Sequence, residues 1–130
     1  MPSNRPIRVN ARRAYSFDGQ AGVTSRTYRW TTTEPLQFEH LQYHADACDS
    51  TDKFLVVFSV KDPAGTTRAY VTGTNVTTPD VPLSFTTLDS TALPGGFIPV
   101  GSTILMLITF AGTAANVLGW NVRLECSVAH

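Results

Sequence analysis

With 130 residues, 42% hydrophobic and 15% charged, the chain suits one domain that buries about two-thirds of its unfolded surface without metals or many disulfides. Its formal charge is zero but unevenly placed: six arginines stand against the single acid Asp18 in residues 1–29, and acids outnumber bases in the remainder. A basic arm on an acidic body can bind nucleic acid or the acidic body of a neighbouring copy, and the neutral balance favours protein partners over nucleic acid.

No apolar leader follows Met1, and no run approaches the ~18 residues of a membrane span. The chain is therefore expected to be made in a cytoplasm, to touch no membrane, and to keep Cys48 and Cys126 as free thiols.

Residues 1–22 read as an extended basic arm preceding a β-sandwich of residues 23–130. In "PIRVNARRAYSF" Ile7, Val9 and Ala11 alternate with Arg8, Asn10 and Arg12. This is a strand pattern without hydrophobic neighbours of its own, suited to pairing onto another sheet edge; the alternative is a frayed terminus. The expected partner-binding residues are Arg5, Ile7, Arg8, Val9, Arg12 and Arg13.

"RTYRWTTTEPLQFEHLQYH" then supplies two strands split by Glu34-Pro35. Tyr28 and Trp30 share a face, and the apolar phase slips by one between Phe38 and Leu41, which predicts a β-bulge or a bend between sheets. After the polar loop "ADACDSTD", Phe54 to Val60 forms a strand, "DPAGTT" a hairpin loop, and Arg68 to Thr74 the return. A short strand near Leu83 to Thr87 lies between two proline-bearing connections, and Thr103 to Phe110 is another strand. The last has the cleanest alternation, with Trp120, Val122, Leu124, Cys126 and Val128 inward and Asn121, Arg123, Glu125 and Ser127 outward. About eight short strands without helical periodicity predict an all-β, single-domain antiparallel sandwich of jelly-roll type.

Two strands are apolar on both faces. Phe54, Val56, Phe58 and Val60 oppose Leu55 and Val57, while Ile104, Met106, Ile108 and Phe110 oppose Leu105 and Leu107. A sandwich strand has one core face, so the surplus must be covered by the chain's own loop or arm or by another copy. Each fully buried side chain of this kind contributes roughly 1.5 to 3 kcal/mol. The expectation is a homo-oligomer, a trimer by preference, with Leu55, Val57, Leu105 and Leu107 at its interface.

Chemistry finds little footing. His40, His44, Asp46 and Cys48 are spaced H-x3-H-x-D-x-C, but on an extended strand the two imidazoles stand about 13 Å apart, too far for one ion. No nucleophile elbow or reactive cysteine motif is present, and Glu34 with Glu39 has no evident cleft for glycoside hydrolysis. Gly95-Gly96 precedes no helix and reads as a turn. Trp30 and Trp120 could stack on a sugar, but both are in phase with core neighbours. Neither an enzyme nor a cofactor or metal site is expected.

"TYRWTTTEPLQFEHLQYH", "KFLVVFSVKDPAG", "FIPVGSTILMLITF" and the closing strand together resemble, across residues 26 to 128, small structural proteins of tailed bacteriophages. The resemblance implies a jelly-roll fold, trimeric association, and a place on the outer surface of the head as a cement or decoration subunit bound to the major capsid protein. An N-terminal arm in such proteins commonly contacts capsid subunits, in keeping with the basic arm here. The other class left open is a ligand- or glycan-binding sandwich, such as a tail-fibre tip. Its site would gather exposed aromatics with acids or amides at one end, whereas these loops are rich in Thr, Gly and Pro.

Overall fold

Alternation of apolar with polar side chains extends the backbone wherever one face can be buried, and in this chain that condition is met many times over. The computed structural model describes residues 11–86 and 96–129. Its strands are β1 (Arg12–Ala21), β2 (Arg26–Thr31), β3 (Leu36–His44), β4 (Lys53–Lys61), β5 (Thr67–Thr72), β6 (Leu83–Phe85), β7 (Phe97–Ile98), β8 (Thr103–Ala111) and β9 (Leu118–Val128). A short 3-10 turn, Ala114–Asn116, separates the last two.

The first sheet has the order β1-β9-β3-β6, with β7 also paired to β3, and the second has the order β2-β8-β4-β5. Every pairing is antiparallel. The chain changes sheet between β1 and β2, β2 and β3, β3 and β4, β5 and β6, β7 and β8, and β8 and β9. That winding defines a jelly-roll sandwich, the predicted fold class.

The core lies between the sheets. Phe54, Val56, Phe58 and Val60 of β4, with Ile104, Met106 and Ile108 of β8, meet Leu41, Tyr43, Val122 and Leu124 of β3 and β9, all without solvent exposure. Aromatic rings bridge the layers, Phe38 on Phe58 at 5.7 Å and Tyr43 on Phe54 at 5.4 Å between centroids. At the open side of the sandwich Phe17 stacks on Tyr28 at 4.2 Å and Tyr15 meets Trp30 at 4.9 Å, joining the edge strands β1 and β2.

This edge corrects the expected arm. Residues 12–21 are not free but form β1, in register with β9 through Tyr15↔Leu124 and Phe17↔Val122. The reason is side-chain phase: Tyr15 and Phe17 give this stretch the apolar neighbours that Ile7 and Val9 lack, so the sandwich begins about ten residues earlier than the boundary at residue 22. Arg5, Ile7, Arg8 and Val9 lie outside the described residues.

The phase slip in β3 is a bulge. Its register against β9 shifts between Phe38 and His40, which turns Leu41 and Tyr43 back to the core without leaving the sheet. Cys48, expected in a polar loop, is buried against the core, and Cys126 is fully enclosed; both are free thiols.

Candidate interaction surface

The two outer faces of the sandwich differ in chemistry. On the second sheet, Leu55 and Val57 alternate with the buried residues of β4, and Leu105 and Leu107 with those of β8, so all four point away from the core. Val57 lies directly across from Leu107, and Ser59 from Leu105, which makes the apolar positions contiguous. Leu107 is 37% exposed and the other three are half-buried. The described elements form only two layers, so nothing in them covers this face. A four-stranded face of this length measures about 19 by 30 Å, comparable with one side of a small stable interface.

The surround of the patch is hydroxyl-bearing and cationic. Thr27 and Thr31 of β2, Thr103 and Thr109 of β8, and Thr72 of β5 share the outward phase. Arg29 lies across from Leu105, and Lys53 and Lys61 close the two ends of β4. None of these three cations has an ion-pair partner among the described residues. The four strands of this sheet contain no Asp or Glu at all.

On the first sheet the outward residues satisfy one another over half the face. His40 Nε2 is 3.0 Å from Glu125 Oε2, and Arg123 donates to the other oxygen of that carboxylate at 2.9 Å. The Arg123 hydrogen bond, with His40 nearby, holds the Glu125 carboxyl below its usual range against partial burial. Ser127 Oγ donates to Glu39 at 2.7 Å. Arg13 pairs with Glu34 of its own chain, so this member of the expected arm already has its carboxylate, while Arg12 is exposed on the outer face.

The other half of that face opens into two adjoining recesses of about 510 and 410 Å³ that share His44 and Asn121. The first also has Asp18, Gln20 and Asp46 on its wall, and the second Asp80 and Arg123. Gly119, at φ +58°, passes directly beneath the Asp46 carboxylate, where any side chain would collide with it. Among the described residues the side-chain carboxylates of Asp18, Asp46 and Asp80 make no hydrogen bond or ion pair, while those of Glu34, Glu39, Asp49, Asp52, Asp62 and Glu125 are all engaged. Val81, 50% exposed, follows Asp80 in sequence, and Leu118, 45% exposed, accepts a 2.8 Å backbone hydrogen bond from the Asp46 N–H.

The remaining chemical candidates are dispersed. His40 is tied to Glu125, His44 and Asp46 face the recess, and Cys48 is buried, so the H-x3-H-x-D-x-C spacing does not converge on a point. Trp120 is 2% exposed with Nε1 donating to the Ala21 carbonyl, and Trp30 packs on Tyr15 and Phe17, which removes both indoles as sugar platforms. Burial pushes the Cys126 thiol up to about 12, with Glu39 adding to the effect, so it is no nucleophile at neutral pH.

The sequence pattern located the apolar patch but missed its cations. Lys53 and Lys61 share the phase of Leu55 and Val57, and Arg29 is out of phase with Tyr28 and Trp30, so the same alternation carried the signal. The convergence of Asp18, Asp46 and Asp80 had no local signal, because it depends on the pairing of β1, β9 and β3.

The sequence matches no protein-family model and no curated protein. Among solved structures, the chain is similar to part of the VP2 subviral particle of infectious bursal disease virus, with 14% identity and a TM-score of 0.50 over 90% of this chain and 32% of that one. The Gt strain of the same virus gives 16% identity and a TM-score of 0.46 over 92% and 32%. The chain thus spans about a third of the length of these proteins, and the likeness is one of fold, a two-sheet antiparallel β-sandwich.

Proposed function

We propose that the chain is a structural subunit of a virus particle, a cement or decoration protein on the outer surface of a phage head. The observation that carries this reading is the outer face of the second sheet, where Leu55, Val57, Leu105 and Leu107 lie on adjacent central strands with no described element packed over them. The sandwich core backs this surface, and the chain is similar in fold to part of the VP2 subviral particle of a virus. Its partners in this reading are further copies, as a homo-oligomer with a trimer the expected form, and the major capsid protein. Residues 1–10, with Arg5 and Arg8, add a basic contact to the shell. Many symmetric copies would each bury modest area and together stabilise the shell. The glycan-binding alternative is less supported, because both tryptophans face inward.

Sedimentation velocity of the purified protein, paired with mass spectrometry of purified particles, tests the proposal. The native chain should associate at micromolar concentration, Leu107→Lys should be monomeric and folded, and the protein should be found in particles. A native monomer that is absent from particles would overturn it.

A further inference from the structure

Among the described residues, most charges that the fold leaves unpaired fall into two groups of opposite sign, with Arg12 and Arg26 on the edge strands β1 and β2 belonging to neither. On the outer face of the second sheet they are Arg29, Lys53 and Lys61, set around the Leu55, Val57, Leu105 and Leu107 patch. On the recessed end of the first sheet they are Asp18, Asp46 and Asp80, with the exposed Val81 following Asp80 in sequence and the exposed Leu118 joined to Asp46 through its backbone. One surface is apolar with a cationic rim and the other is partly apolar with carboxylates.

A two-fold contact of the cationic face with its own copy would bring the same unpaired cations to both sides of one interface, with no acid in the sheet to neutralise them. A head-to-tail contact instead sets cations against carboxylates and apolar side chains against apolar side chains. We infer that the outer face of the second sheet receives the acidic, recessed end of a second copy of this chain. The contact is heterologous: each copy donates one surface and receives with the other, so association proceeds around a ring or along an array rather than stopping at a symmetric dimer. This inference rests on the reading of that face as a protein contact and specifies which surface of the neighbour it meets.

Two full-length variants test it. The acid-end variant combines Asp18→Lys, Asp46→Lys and Asp80→Asn, the last because position 80 has φ 59°, which Asn tolerates. The face variant combines Arg29→Glu, Lys53→Glu and Lys61→Glu. Each alone should self-associate at least about tenfold more weakly than the native chain, and an equimolar mixture should recover association because opposite charges again meet. An acid-end variant that associates as tightly as native would overturn the inference, and so would folded variants whose mixture does not recover. Should either variant fold poorly, zero-length carbodiimide cross-linking of the unaltered protein decides: the expected intermolecular products join Lys53 or Lys61 to Asp18, Asp46 or Asp80, and products confined to other pairs overturn it. The two readings fail separately. If Leu107→Lys abolishes association while the acid-end variant does not, the apolar contact stands and the head-to-tail arrangement falls. If the cross-links form but the protein is absent from particles, the head-to-tail arrangement stands and the virion role falls.

Discussion

The two outer faces of this sandwich rest on the same core and the same backbone order, yet they are opposites. Over half of the first sheet, outward residues close on each other, His40 and Arg123 on Glu125 and Ser127 on Glu39, while its recessed end carries the unpaired Asp18, Asp46 and Asp80. On the second, the outward residues of β4 and β8 are leucine, valine, serine, threonine and lysine, with no carboxylate to answer the cations. A face whose polar groups are internally satisfied gains little from a partner, whereas a face with half-exposed Leu and Val and unanswered charge has free energy left to release on contact.

The largest test of that contrast lies along one strand. Phe58 and Val57 are neighbours in β4, one wholly enclosed and the other half-buried on the outside. Phe58→Ala removes a ring stacked on Phe38 and should destabilise the isolated chain by about 3–5 kcal/mol. Val57→Ala should cost about 1 kcal/mol or less in the isolated chain, since it opens no core cavity. Urea unfolding of the two variants under monomeric conditions measures both. Equal losses would mean that Val57 belongs to the core, and the outer face would cease to be a free surface.

Alkaline pH probes the enclosed layer alone. Burial raises the Cys126 thiol from 9.0 to about 12. It raises the Tyr43 phenol from 10.0 to about 12, and the Tyr43 hydroxyl donates a 2.6 Å hydrogen bond to the Thr74 carbonyl. The folded state therefore holds these protons more tightly than the unfolded chain. Their contribution is complete below the unfolded values and declines as pH rises towards the folded ones, by up to about 1.4 kcal/mol per pH unit for each group. Unfolding midpoints should fall from about pH 9 upward, less steeply in Cys126→Ala, and in Tyr43→Phe the relief should begin near pH 10. If both variants retain the native slope, these two groups are not what makes the fold alkali-sensitive.

Much of this architecture was legible in residue alternation. The final strand, the β4–β5 hairpin and the doubly apolar strands are local patterns with period two, and the structure places them as read. The extent of the arm was not legible, because "RRAYSF" is one continuous alternating run with the residues before it, and only the pairing with β9 marks Arg12 as the start of β1. The two-residue β7 has no period to detect; it exists because Leu36 and Gln37 of β3 offer it a ladder. Cys48 was misjudged because polar neighbours in the chain do not reveal that the loop turns this side chain inward to the core cluster. The candidate surface divides in the same way. Its leucines and valine are a local pattern, whereas the three unpaired carboxylates come from β1, the segment after β3 and the loop before β6, and meet only in three dimensions.

The smallest expected effect completes the comparison from the other side. Glu125 is the hub of the self-satisfied face, and replacing it by Gln leaves His40 and Arg123 without their carboxylate while preserving side-chain shape. Pairs of this kind near solvent are worth about 1 kcal/mol or less, so Glu125→Gln should lower stability only slightly at neutral pH. Because Arg123 and His40 hold the Glu125 carboxyl below its ordinary range, the native advantage over the variant should be present above the ordinary carboxylate value and vanish as pH falls through the lowered one. Association should change far less than in the acid-end variant, since Glu125 lies on the opposite face from the Leu107 patch and reaches the second recess only through its partner Arg123. Paired urea titrations at neutral and acid pH, with sedimentation at neutral pH, check both halves. A marked loss of self-association in Glu125→Gln would show that the charged network of the first sheet is itself part of the contact, and the division into one closed face and one open face would fail.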